Sequence, residues 1–148
     1  GASPARGTEV VLATLVVDEP LLAAAPRGTG VLVAAGAEGI RARALTHSTA
    51  KWPWLAELAG SRHVLRLSYD SAGEELAEIA RADAAALLGI PIAPSAVLDF
   101  ARAQWYRPPR VTASPKGILL AGESIAGTGL ASVVNHSDAL AATLLEDA

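Results

Sequence analysis

The residues whose types and spacing best suit chemistry lie near the end of the chain, in Gly122-Glu123-Ser124-Ile125-Ala126-Gly127-Thr128-Gly129-Leu130-Ala131. They fall between a short apolar run, Ile118–Gly122, and a long stretch of helix-forming residues. Glycines at a strand-to-helix turn let a ligand approach the backbone closely. The first amides of the following helix point outward with a partial positive charge. The combination suits an electron-rich or anionic group such as a phosphate. Gly127-Thr128-Gly129-Leu130-Ala131-Ser132 comes close to the dinucleotide fingerprint G-x-G-x-x-G/A but departs from it. In the fingerprint the first glycine follows its strand directly, and a second strand with an acid lies about twenty residues on. Here Gly122–Ala126 intervenes. The plain alternative is a glycine-rich loop that lets a helix pack on a sheet. Glu123, at the carboxyl end of the expected strand, suits hydrogen bonds from sugar-type hydroxyls, or equally a helix cap.

Other candidates are sparser. Ser48, His47 and Asp18 do not make a triad, because no G-x-S-x-G elbow is present. His47, His63 and His136 are far apart in sequence and lack metal-ligand spacing, and there is no cysteine, so no metal site is expected. Lys51, beside Trp52 and Trp54, is placed to lie over an indole face. Trp105 and Tyr106, at the end of an expected strand, suit a lid or the core.

Composition bounds what these residues can belong to. The 148 residues are enough for one domain with a real core. The net charge of −3 and the scattered signs argue against a nucleic-acid face. The chain is 51% hydrophobic with a mean hydropathy of +0.34, yet no apolar run approaches the roughly 18–20 residues of a membrane span. Such an excess implies surface covered by a partner domain, a second subunit, a ligand or a membrane face. No secretory signal is visible. The absence of methionine points to an excised piece of a longer protein.

The elements that must position these residues follow from pattern. Thr8–Glu19 is β-branched and apolar, a long buried strand ended by Pro20. Thr29–Ala34 and Ala42–Ser48 read as strands. Pro53 suits the first turn of a short helix closed by Gly60. Arg62–Tyr69 alternates, with His63, Leu65, Leu67 and Tyr69 toward the core and Val64, Arg66 and Ser68 on the other face. Ser71 and Glu74 form a candidate capping box for a helix in which Leu76, Ile79, Ala80, Asp83 and Leu87 share one face and Gly89 is the stop. Ala96–Tyr106 reads as a further strand, ended by Pro108-Pro109. The expected fold is α+β: a mixed, largely antiparallel sheet with helices on one side, ending in a strand, a glycine-rich turn and a long helix.

Taken in order, these features resemble a family. Lys51-Trp52-Pro53 follows a strand of the form L-T-x-S, and Val64-Leu65-Arg66 lies on the next strand. Arg81-Ala82-Asp83 and Leu87-Leu88-Gly89-Ile90 follow in a helix, and L-L-A-G-E leads into A-G-T-G-L and the terminal helix. The sequence looks like the C-terminal part of bacterial protoporphyrinogen/coproporphyrinogen oxidases, flavoenzymes of the FAD-dependent amine oxidase superfamily. The resemblance implies that residues 1–110 are part of a substrate-domain-like α+β region and that 111–148 close over the flavin. It places Gly122, Glu123 and Gly127 toward the ribityl and phosphate region of FAD. It places the amides of Gly129, Leu130 and Ala131 at the pyrimidine edge. By the same analogy Arg66, Phe100 and Tyr106 approach the tetrapyrrole or the flavin ring. No catalytic residue is assigned. The implied partners are the tetrapyrrole and a missing N-terminal FAD-binding half, or a second copy of the chain. The implied setting is the cytoplasm, with peripheral membrane contact left open.

Three departures qualify the resemblance. The family's N-terminal G-x-G-x-x-G is absent. Ala103-Gln104-Trp105-Tyr106-Arg107-Pro108-Pro109 replaces the usual P-Q-Y-x-x-G-H segment, with only Arg110–Pro115 where a helix is expected. Phe100 stands where tryptophan is common. The chain by itself is therefore expected to be inactive. Two other readings stay open: a non-enzymatic binding or dimerisation module derived from that family, and a different nucleotide-binding domain that uses Gly127–Gly129 for phosphate.

Overall fold

The computed structural model describes residues 7–71, 73–107, 109–111 and 114–146. The chain divides into two compact units, Glu9–Trp105 and Gly1–Thr8 with Tyr106–Ala148. The first is built on a five-stranded sheet. Its strands are β1 (Thr8–Val17), β2 (Gly30–Leu32), β3 (Ala44–His47), β4 (His63–Tyr69) and β5 (Val97–Arg107), in the order β2-β3-β4-β1-β5. The pairs β2–β3, β3–β4 and β4–β1 are antiparallel. At the β1–β5 seam, Asp18 N–H after β1 donates to Ala96 O just before β5, at 2.8 Å, and the Gln104 amide near the end of β5 reaches Glu9. That pair too runs in opposite directions, so the sheet is antiparallel throughout.

Period-two alternation puts one residue set on each face. Val11, Ala13, Leu15 and Val17 lie opposite Tyr69, Leu67, Leu65 and His63, and Leu45 and His47 continue the rows onto β3. The apolar members of β1, β3 and β4 in these rows are buried. The helix α3 (Leu76–Leu88) buries Leu76, Ala80, Asp83, Ala84, Leu87 and Leu88, spaced three and four apart as one helical face requires. Asp83 is the polar member of that stripe. Its carboxylate accepts from Ala42 N–H at 2.8 Å, from Arg41 N–H and from Tyr69 O–H at 3.2 Å. The helix is thereby tied to β4 and to the segment leading into β3. Burial, with Asp83 alongside, pushes the Tyr69 hydroxyl far above its ordinary pKa. Arg81, paired with Glu78, donates to Ile92 O and fastens the proline-bearing link after the helix. The opposite sheet face is mostly half-buried. Thr14, Arg66 and Thr46 form one row there, with Arg66 exposed and the two threonines half-buried.

The short helices α1 (Ser48–Lys51) and α2 (Pro53–Ala59) follow β3, with Pro53 at the start of α2 and Gly60 at its end. The strand expected to reach Ser48 therefore stops one residue earlier, and β2 is shorter than the expected Thr29–Ala34. Gly30 in β2 is demanded by close approach: a Cβ there would fall against Leu45 O and within 3.2 Å of Thr46 Cα. The Ser71–Glu74 capping box does not form. The helix begins at Leu76 after Glu75, and no side chain caps it.

The second unit carries α4 (Glu123–Ala126) and α5 (Leu130–Glu146). Among the described residues the expected strand Ile118–Gly122 is absent: residues 118–121 take no strand conformation and pair with no strand. Isolated extended chain needs a neighbour to satisfy its backbone, and no described strand offers one there. Among the described residues, no helix is long and apolar enough to cross a membrane.

Candidate functional site

The glycine segment expected to hold a cofactor makes two tight corners rather than one. Gly122, with φ 112°, precedes α4, and Gly127, with φ 95°, follows it. Gly129, with φ 107°, stands directly before α5. Positive φ at all three is open to glycine and unfavourable for other residues. Ala126 N–H donates to Gly122 O at 3.0 Å and Gly127 N–H to Glu123 O at 3.1 Å, closing the single helical turn. Val133 N–H donates to Gly129 O at 3.2 Å, so the amides of Leu130 and Ala131 belong to the first, unpaired turn of α5.

Beside these corners lies a cavity of about 290 Å³ lined by Arg107, Pro109, Arg110, Glu123, Gly127, Thr128 and Thr8. Val111 N–H donates to Ser124 O at 2.7 Å and holds the 109–111 segment against α4. Arg110 comes close to Gly127: its Nη2 would sit 3.7 Å from a Cβ placed there. The cavity thus gathers two arginines, two threonine hydroxyls, one carboxylate and the turn that leads into α5. Two arginines and outward-pointing helix amides favour an anionic group, and Glu123 remains available to hydroxyl donors. A phosphate or the oxygen-rich edge of a heterocycle fits this donor set.

Of the cofactor residues expected from sequence, Glu123 and Gly127 line the cavity, and Gly122 forms the corner before Glu123. Gly129, Leu130 and Ala131 stand at the entrance to α5, where Leu130 is 86% exposed. Sequence reasoning missed Thr8, Arg107 and Arg110. The signal available was two cations flanking a proline pair, a local pattern too common to single out.

The expected substrate residues are less united. Arg66 is exposed on the face away from the core, whereas Phe100 is half-buried against the hydrophobic core on the other side. The sheet therefore separates this pair. Tyr106 belongs to the second unit and is exposed, as is the neighbouring Trp105, so neither is a core residue. Lys51 does lie over Trp52, its Nζ 5.2 Å from the ring centre. His47 and His63, distant in sequence, meet across β3 and β4 with His47 Nε2 3.2 Å from His63 Nδ1. They are 16 positions apart in the chain. Only strand register brings them together. Among the described residues no three His, Cys, Asp or Glu side chains gather as a metal site would require. No protein-family profile matches the chain, and no curated protein is significantly similar to it.

Proposed function

We propose that this chain is part of an FAD-dependent oxidase acting on a porphyrinogen-type tetrapyrrole, with residues 122–131 at the flavin. The single observation that supports the reading most is the cavity in which Glu123, Gly127 and Thr128 meet Arg107 and Arg110 beside the start of α5. Arg107 and Arg110 would hold negative charge on the cofactor, Glu123 would accept from its ribityl hydroxyls, and the free amides of α5 would face the pyrimidine edge. When bound, the flavin supplies the hydride chemistry, taking hydride from the reduced tetrapyrrole and passing electrons to oxygen. The exposed Arg66, with Thr14 and Thr46 on either side, offers a cation to a tetrapyrrole carboxylate. We place the protein in the cytoplasm, with contact to a membrane surface as the further expectation. The chain lacks the family's ADP-binding glycine motif, so it turns over no substrate alone.

The test is a fluorescence titration of FAD with the purified chain, with FMN and ATP as comparisons. The expected outcome is quenching of FAD and FMN at micromolar chain. Gly129→Val should abolish it, and Arg110→Gln should weaken it about tenfold, the usual weight of one charge-assisted contact. Response to ATP alone would favour a phosphate-binding domain of another kind. Silence with all three ligands, joined to a concentration-dependent dimer, would favour the non-enzymatic module. The exposed Leu130, Val134, Leu144 and Leu145 on α5 are the observation behind that second reading.

A further inference from the structure

A second cavity, wholly within Glu9–Trp105, holds the histidine pair. It measures about 400 Å³, and its walls are largely apolar, from Leu22, Ala25, Ala50 and Ala56, with His47, Thr49, Arg62 and His63 as the polar members. Thr49 Oγ1 already accepts from Val64 N–H. The hydrogen bond between the histidines decides what His63 offers to this space. His47 is 1% exposed, and its Nδ1 is buried with no hydrogen-bond partner. Its Nε2 faces His63 Nδ1 at 3.2 Å, so one hydrogen lies between the rings. Were His63 the donor, neutral His47 would carry its hydrogen on Nδ1, a buried N–H with nothing to receive it. An orphaned N–H is rarer in proteins than an orphaned acceptor. His47 Nε2–H is therefore the donor and His63 Nδ1 the acceptor, and the hydrogen of neutral His63 sits on Nε2. Burial holds both imidazoles toward the neutral form, with Asp18 and Glu19 partly opposing it at His63. Neither acid lines the cavity, and Glu19 Oε1 accepts from Leu21 N–H.

Arg62 supplies the second donor. Its Nε–H is anchored on Ala59 O at 3.1 Å, which orients the guanidinium. We propose that this cavity is a binding site for a small apolar monocarboxylate, its carboxylate accepting from His63 Nε2–H and the Arg62 guanidinium and its hydrocarbon body lying among Leu22, Ala25, Ala50 and Ala56. An aryl or short alkyl acid matches a mostly apolar space whose lining includes an imidazole and a guanidinium. The site is separate from the glycine corners, so it stands or falls independently of flavin binding.

Fluorine NMR of fluorobenzoate titrated with the full chain at neutral pH tests this, with fluorobenzamide as the uncharged comparison. The expected result is saturable binding of the acid and about tenfold weaker binding of the amide, the size of a lost charge-assisted contact. Arg62→Gln, at an exposed position that leaves the fold intact, should weaken the acid about tenfold. Arg41→Gln, at a different cavity, should leave it unchanged. Nitrogen NMR of the histidines should show His63 protonated on Nε2. No saturable binding, equal binding of acid and amide, indifference to Arg62→Gln, or a His63 Nδ1–H tautomer would each overturn the proposal.

Discussion

Asp83 is a carboxylate in an apolar stripe, and its three donors explain why it belongs there. Replacing it with alanine leaves the Ala42 amide and the Tyr69 hydroxyl buried, and the Arg41 amide part-buried, without their acceptor. Each orphaned group costs about 1–3 kcal/mol, so Asp83→Ala should destabilise the protein by about 3 kcal/mol or more. Urea denaturation followed by circular dichroism measures this, and a loss under about 1 kcal/mol would refute the account. The histidine pair sets a pH dependence. Both rings are held below their ordinary pKa, chiefly by burial, so below about pH 6.5 the unfolded chain binds protons that the folded chain refuses. Stability should therefore be full above that pH, and should fall as pH drops through it toward the lowered folded values. Melting temperatures across this range should show the decline. Replacing both histidines by apolar residues should flatten it.

The elements carry their own predictions. β2 lies at the sheet edge and depends on Gly30 to approach β3. Gly30→Ala must push back either the Leu45 carbonyl or the strand itself, at a cost of roughly 1–3 kcal/mol. Amide exchange should then rise at Val31 and Leu32 more than in β1 and β4. The helix α3 was legible in sequence because its apolar spacing and Gly89 stop agree with each other, and Gly89 indeed closes it in the left-handed conformation. Its start was not legible. Ser71 and Glu74 had the right spacing for a capping box, but the helix begins after Glu75. Spacing alone does not say where the tertiary contacts of Leu76 will place the first turn.

At the scale of the whole molecule, burial is uneven. Every fully buried hydrophobic residue among those described lies between Val11 and Ile92, whereas α5 exposes Val134, Leu144 and Leu145. Helices of this length gain most of their stability from packing an apolar face. Hydrogen-exchange mass spectrometry should therefore find Glu9–Trp105 strongly protected and α5 exchanging orders of magnitude faster. Equal protection of both would contradict the burial pattern. FAD at saturating concentration should slow exchange at 122–133 if those residues hold the flavin, and leave β3 and β4 unaffected.

The sequence by itself determined the α+β class, the two-faced alternation of His63–Tyr69, the buried stripe of α3 and the glycine corners near the end. Periodicity and conformational freedom are local properties, and residues i, i+2 and i+4 or a lone glycine declare them. Tertiary structure alone decided which strands are neighbours, that Asp83 meets Tyr69 and Ala42, that His47 meets His63, and that Arg110 stands over Gly127. It also decided that residues 118–121 pair with no strand, although their apolar run looks like one. Each of these depends on register or on a partner distant in the chain, and a hydrogen bond across 41 residues leaves no periodic trace in the sequence.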